Sequence, residues 1–175
     1  MQHIVLLPGA GALRVPWADA LRKALGPGYE VIAPEMPDPD EPHYEAWKQR
    51  LVDVITPIEG DLILIGHSLG GSVILKYLAE NEVRKRIAAV FSLAAPHFGG
   101  EVEEFHAPKD FSRLSRIPRI FLYHGREDDV VPSAHLLEYA RKLPQATVRM
   151  LDHRGHSFAD ENPTILIDDI RSLST

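Results

Sequence analysis

The stretch GHSLGG at residues 66–71 holds a serine that is a candidate nucleophile. It follows the apolar run 62–65 and precedes a helical pattern that begins near Val73. A Gly-x-Ser-x-Gly pattern between a buried strand and a helix places the serine on a sharp turn, and the amino end of the helix then faces any negative charge that develops there. The bare pattern also arises by chance, but its strand–turn–helix context favours Ser68 as the nucleophile of an acyl-transfer reaction.

A serine hydroxyl is a weak nucleophile, so it needs a base, and the base needs a carboxylate that orients it. Of the nine histidines, His153 and His156 are the two that follow the last predicted strand. We favour His156 as the base, because Gly155 before it gives the loop freedom to present an imidazole. His67 adjoins the nucleophile, and we expect its side chain to point elsewhere. The His-x-x-His pair has no third ligand nearby in the sequence, so we expect no metal site.

The orienting carboxylate is expected in the loop after the fifth predicted strand. Glu127, Asp128 and Asp129 are consecutive there, and their chemistry alone leaves all three open. Two of the three must be turn residues or charges at the end of a helix.

A tetrahedral oxyanion needs backbone N–H donors. In this arrangement one donor comes from the residue after the nucleophile, which is Leu69, and the other from the loop after the first strand. The glycines of that loop, residues 8–11, permit an unusual backbone, and we expect the Ala10 N–H to be the second donor, with Gly11 as the alternative. The plain interpretation of the segment is a glycine turn, and it lacks the third glycine of a dinucleotide-binding fingerprint.

The chain alternates between short apolar runs and amphipathic stretches. Several runs are continuously apolar, which is typical of parallel strands buried on both faces. The alternation predicts an α/β fold with a parallel sheet, right-handed crossovers and a single domain over residues 1–175. We also expect Ser133 to cap the fourth helix and Asn162-Pro163 to open the last one. The predicted strands are 3–7, 30–33, 62–66, 87–94, 119–124 and 147–151.

The composition excludes several classes of protein. Hydrophobic residues make up 45% of the chain, which argues against disorder. A net charge of −6 without a basic tract argues against nucleic-acid binding. The apolar runs are far too short for a membrane span, and the first residues lack the features of a signal peptide. The absence of cysteine excludes disulfides and cysteine-based catalysis or zinc sites. We therefore expect a cytoplasmic protein with no nucleic-acid or membrane partner.

Several of these segments resemble the motifs of the α/β-hydrolase superfamily. Residues 124–132 resemble its acid loop, His-Gly-x-x-Asp-x-x-Val-Pro, and this match places the acid at Asp128. Gly155-His156 resembles its histidine loop. The short length and the segment MPDP at 36–39 resemble, more narrowly, the small serine hydrolases related to retinoblastoma-binding protein nine and the YdeN-type bacterial proteins. The resemblance implies a compact three-layer fold of about six parallel strands in the order 2-1-3-4-5-6, with helices on both faces.

The expected function is that of a serine hydrolase, carboxylesterase-like, which cleaves small esters or related acyl compounds and needs no cofactor. The sequence does not decide between ester hydrolysis and amide, thioester or perhydrolysis chemistry. We expect either a monomer or a weak homodimer. The alternative is a protein-binding module on the same fold, since fold does not fix function. The excursion at about 96–118 is expected to form a short cap, in which Phe98 and Phe105 either line the acyl pocket or belong to an ordinary connection.

Overall fold

The computed structural model describes residues 1–99, 103–158 and 164–174. Its strands are β1 (Gln2–Leu7), β2 (Tyr29–Ile32), β3 (Leu62–His67), β4 (Ile87–Leu93), β5 (Arg119–Gly125) and β6 (Thr147–Leu151). Its α-helices are α1 (Ala18–Leu25), α2 (Tyr44–Ile55), α3 (Leu69–Glu80), α4 (Ala134–Lys142) and α5 (Thr164–Arg171). Three short 3₁₀ helices are Glu103–Phe105, Ser112–Arg116 and Ser172–Ser174. In the described part of the chain, no helix is long and apolar enough to span a membrane.

The six strands form one parallel sheet in the order β2-β1-β3-β4-β5-β6, which confirms the predicted order. The chain builds outward from β1 to β2 in one direction and from β3 to β6 in the other. At this switch point the crossovers leave on opposite sides of the sheet and open a crevice between the carboxyl ends of β1 and β3. Leu7 pairs with Gly66, so the loop after β1 begins beside the turn that carries Ser68.

Apolar cores lie on both faces of the sheet, because successive strand side chains point in opposite directions. In β3, Leu62 and Leu64 join the core beneath α2, α3 and α4, whereas Ile63 and Ile65 join the core beneath α1 and α5. The three-layer prediction is therefore confirmed. The strands that the sequence shows as continuous apolar runs are buried on both faces of the sheet.

The helix-start predictions have different outcomes. Helix α4 begins at Ala134 with Ser133 at the N-cap position, but the Ser133 side chain makes no capping hydrogen bond. The predicted start at Asn162-Pro163 lies outside the described residues. The described part of the excursion contains two 3₁₀ helices, and Glu104 of the first accepts a hydrogen bond of 2.9 Å from the Tyr44 N–H. Since His43 provides no capping bond to α2, Glu104 satisfies a free N–H there and ties the excursion to the helix.

Candidate active site

The turn between β3 and α3 holds Ser68 in an unusual backbone conformation. Its φ is 50° and its ψ is −123°, in a region that residues with a side chain rarely adopt. Its N–H donates a hydrogen bond of 2.8 Å to the Leu93 carbonyl at the end of β4, which anchors the turn to the sheet. A Cβ on Gly66 would lie 2.5 Å from the backbone of Gly70, so the strand and the helix approach closely enough to require glycine. The sequence therefore projects the Ser68 hydroxyl from the carboxyl edge of the sheet.

Ser68, His156 and Asp128 come together in one hydrogen-bonded chain. His156 Nε2 lies 3.0 Å from Ser68 Oγ, and His156 Nδ1 lies 2.9 Å from Asp128 Oδ2. Because the carboxylate can only accept, Nδ1 carries the proton and Nε2 offers its lone pair to the serine hydroxyl. The Asp128 side chain is fully buried, and that of His156 is 17% exposed. This geometry suits a serine whose proton is removed during attack on a carbonyl carbon.

The three consecutive acids of the loop after β5 have different surroundings. Asp128 contacts His156, whereas Glu127 lies 3.2 Å from His153, whose side chain is 92% exposed. Asp129 is exposed. The structure thus distinguishes which of the three carboxylates contacts the base, a choice that their chemistry alone did not decide. It also separates the two histidines, because His153 lies at the surface and His156 beside the nucleophile.

The Asp128 carboxylate is held as an anion by donors on its own loop. Burial disfavours its charge, but hydrogen bonds from the Val131 N–H, His156 and the Val130 N–H outweigh burial and lower the pKa of Asp128 below its ordinary value. The two backbone bonds reach Oδ1 at 2.8 Å and 3.0 Å. A charged and immobile carboxylate favours the imidazolium that forms on His156 during proton transfer.

The acid loop and the histidine loop are packed directly against each other. The Glu127 N–H donates a hydrogen bond of 2.9 Å to the Arg154 carbonyl. A Cβ on Gly125 would lie 2.6 Å from the Gly155 carbonyl oxygen, so glycine is required where the two loops meet. This contact brings together the two loops that carry Asp128 and His156.

The candidate oxyanion donors lie on either side of the nucleophile. Leu69 is the first residue of α3, where an N–H has no preceding helical carbonyl to bond. In the loop after β1, Gly11 donates its N–H to the Pro39 carbonyl at 2.6 Å, whereas the Ala10 N–H has no hydrogen-bond partner among the described residues. The structure therefore favours Ala10 over Gly11 as an available donor.

The loop after β1 reaches the nucleophile directly. The Gly70 N–H at the start of α3 donates to the Pro8 carbonyl at 3.0 Å, and a Cβ on Gly9 would lie 3.0 Å from Ser68 Cβ. The site is thus bounded by the first turn of α3 on one side and by this loop on the other.

Two further histidines contact members of the site, and the expectation that the His67 side chain points elsewhere is wrong. His67 Nε2 lies 2.8 Å from the His156 carbonyl oxygen, and the two rings are 5.1 Å apart. Burial lowers the pKa of His67, partly opposed by this hydrogen bond, so the ring is neutral near pH 7. His124 lies beside Asp128. A histidine next to the nucleophile and one four residues before the acid are the sequence signals that could have identified them.

The two candidate pocket residues lie in the excursion. Phe105 is 5% exposed and packs edge-on against Tyr44, with ring centroids 6.1 Å apart. Phe98 is partly buried and lies 6.0 Å from the Phe105 ring. Both rings contact the core beneath α2 and α3, and a contribution to substrate binding remains a prediction. Among the described residues, no group of three or more potential ligands is arranged to hold a metal ion.

Comparison with known proteins identifies relatives of this chain. A model of the alpha/beta hydrolase family matches residues 4–114. Serine hydrolase RBBP9 of Rattus norvegicus is 26% identical over 181 residues, covering 98% of this chain and 95% of that protein. YdeN of Bacillus subtilis is 22% identical over 159 residues, covering 86% and 81%.

Solved structures share the fold at low sequence identity. The crystal structure of the ydeN gene product superposes with a TM-score of 0.85 at 20% identity and covers 99% of both chains. Zea mays acyl-protein thioesterase 2 superposes with a TM-score of 0.77 at 17% identity, covering 99% of this chain and 94% of that one.

Proposed function

Since the chain belongs to the alpha/beta hydrolase family, we propose that it is a serine hydrolase that cleaves small esters or related acyl compounds. The observation that carries the proposal is the hydrogen-bonded chain from Ser68 through His156 to Asp128. Ser68 is the nucleophile, His156 the base and Asp128 the acid that orients the base. The lowered pKa of Asp128 supports its role as a permanent anion.

The reaction proceeds through an acyl-enzyme. Ser68 Oγ attacks the carbonyl carbon of the ester while His156 Nε2 takes the hydroxyl proton. The carbonyl oxygen becomes an oxyanion, and the N–H groups of Ala10 and Leu69 stabilise it. His156 then gives its proton to the departing alkoxide, so an alcohol leaves and Ser68 stays acylated. Water repeats the sequence: His156 takes its proton, the hydroxide attacks the acyl carbon, and Ser68 Oγ recovers a proton as the carboxylic acid departs.

The described part of the excursion offers little material with which to cover this site. The described part of the excursion contains two 3₁₀ helices of three and five residues, too few for an independent lid domain. The proposed mechanism uses protein groups alone. The protein is proposed to act on a small-molecule acyl substrate, as a monomer or a weak homodimer.

A fluorophosphonate probe tests the proposal, because it reacts with an activated serine and not with an ordinary hydroxyl. Wild type should be labelled and should hydrolyse p-nitrophenyl esters, and Ser68→Ala should lose both properties while it stays folded. We expect Ser68→Ala and His156→Ala each to lower kcat by on the order of 10³-fold or more, because the triad acts as a unit. Ser115→Ala is the control, since Ser115 is an exposed serine in the second 3₁₀ helix.

The same experiment separates the enzyme from a binding module. An unlabelled wild type that hydrolyses no ester in a panel of acyl chain lengths would reject the proposal and favour a module that uses the fold for binding. Labelling that survives in Ser68→Ala would move the nucleophile elsewhere.

A further inference from the structure

His124 is a polar side chain buried at the end of a central strand. It is the penultimate residue of β5, pairs with Met150 of β6, and is 1% exposed. Burying an imidazole is costly unless its nitrogen atoms find partners. The residues that face His124 therefore indicate why a histidine is present.

Its Nε2 faces two oxygen atoms of the acid loop. It lies 2.8 Å from the Val131 carbonyl oxygen and 3.2 Å from Asp128 Oδ2. Both oxygens can only accept, so Nε2 carries a proton. The N–H donates to the Val131 carbonyl and places its positive end against the carboxylate.

Val131 connects this bond to the carboxylate a second time. Its carbonyl accepts from His124, and its N–H donates to Asp128 Oδ1 at 2.8 Å. His124 thus acts on one carboxylate oxygen directly and on the other through the Val131 backbone. These contacts oppose rotation of the carboxylate away from His156.

We propose that His124 is a positioning residue for Asp128, holding the carboxylate in the orientation that bonds His156. The proposal rests on the proposed function, because it assigns a purpose to the geometry of the same site. His124 touches neither Ser68 nor the candidate oxyanion donors, so its loss should lower kcat and leave KM unchanged.

His124→Leu removes the donor and fills similar space, and His124→Gln returns an N–H at a similar distance from the backbone. We expect His124→Leu to lower kcat roughly 10-fold to 100-fold, the range that a displaced catalytic group produces, and His124→Gln to recover most of it. Without the N–H, the carboxylate turns partly away from His156 and stabilises the imidazolium less, so the acidic limb of the kcat/KM profile should move to lower pH in His124→Leu. Among the described residues, Asp128 and His67 are the titratable groups that face the His156 ring, and neither is substituted in these variants.

Leu122→Ala is the matched control for lost stability. Leu122 lies two residues earlier on the same face of β5 and is equally buried. It should lower the melting temperature and keep the wild-type kcat and pH profile. An equal loss of kcat in Leu122→Ala, or equal losses in the Leu and Gln variants of His124, would show that His124 serves folding alone.

A measurement without turnover keeps this inference separate from the proposed function. The His156 Nδ1 proton, which lies between nitrogen and carboxylate, should give a strongly downfield ¹H resonance in wild type and in His124→Gln. We expect this resonance to shift or broaden in His124→Leu. Wild type that shows the resonance but no hydrolysis refutes the proposed function alone, whereas a resonance, kcat and pH profile unchanged in His124→Leu refute the role of His124 alone.

Discussion

Replacement of Gly9 by alanine tests whether the loop after β1 forms one wall of the reaction site. A Cβ at this position would lie 3.0 Å from Ser68 Cβ and 3.5 Å from Ser68 Oγ. Non-bonded carbon atoms prefer separations of about 3.5–4.0 Å, so the loop and the serine must move apart by roughly 0.5 Å. Gly9 does not have a positive φ, so the backbone itself accepts alanine. The perturbation is therefore a displacement of the site and not a strain on the fold.

The expected magnitude follows from the neighbouring donor. Ala10 comes directly after Gly9, and an oxyanion donor acts over about 2.7–3.1 Å, so a shift of half an ångström weakens its bond. Complete loss of one such donor costs about 10²–10³-fold in kcat, and partial loss should cost on the order of 10-fold to 10²-fold. We expect Gly9→Ala to lower kcat by this factor and to change the melting temperature little.

Gly11→Ala, two residues away, should strain the backbone and leave the position of Ser68 unchanged. Gly11 has a φ of 75°, and a Cβ there would meet no atom within 4 Å. An alanine in the left-handed region costs about 1–2 kcal/mol, which in a chain of this size lowers the melting temperature by about 2–8 °C. Its kcat should stay near that of wild type. The two variants are compared by steady-state kinetics on p-nitrophenyl acetate and by thermal unfolding. An unchanged kcat in Gly9→Ala would refute the assignment of this loop to the oxyanion site.

Three further predictions concern the acid loop and the excursion. Asp128→Asn should lower kcat on the order of 10³-fold or more by presenting the wrong partner to the base, and Asp129→Asn should have little effect; the reverse ranking would reassign the acid. Because the pKa of Asp128 is lowered in the folded protein, its charge adds stability that is present above about pH 4. This stability is lost as the pH falls through the folded-state pKa of Asp128. In urea unfolding between pH 7 and about pH 3, wild type should therefore lose more stability than Asp128→Asn. Phe105→Ala should destabilise the protein by about 3–5 kcal/mol, whereas Phe98→Ala should mainly change the preference for acyl chain length in the ester panel. If both variants lose much stability and keep the wild-type preference, both rings are core residues.

Much of the fold was predictable because the inner strands of the sheet are buried on both faces. Such strands appear as continuous apolar runs, and the predicted strand at 62–66 differs from β3 (Leu62–His67) by one residue. The order of the strands came from the family resemblance and not from the runs themselves. Ser133 makes no capping bond; its φ of −61° and ψ of −14° are helical, whereas a capping serine has an extended backbone. Local propensity names the position of a cap but not the partner of its side chain.

The acid illustrates what residue chemistry leaves undecided. Glu127, Asp128 and Asp129 are all carboxylates on one turn, and the backbone of the turn decides which side chain points inward. Asp128 is selected because the N–H groups of Val130 and Val131 turn toward its side chain and offset the cost of its burial. The family spacing encodes this backbone geometry, which is why the resemblance ranked the acids and their chemistry did not.

The contacts of His67 and His124 depend on the register of the sheet and not on spacing along the chain. His67 pairs with Leu93 and His124 with Met150, so each histidine lies at or next to the carboxyl end of its strand, at the edge where the loops meet. From there each Nε2 reaches a loop carbonyl, that of His156 in one case and that of Val131 in the other, both at 2.8 Å. Side chains at the ends of the strands thus help to hold the loops through hydrogen bonds to loop carbonyls. Because a carbonyl acceptor is available at every residue, the sequence carries no mark of which one is used, and only the assembled sheet determines it.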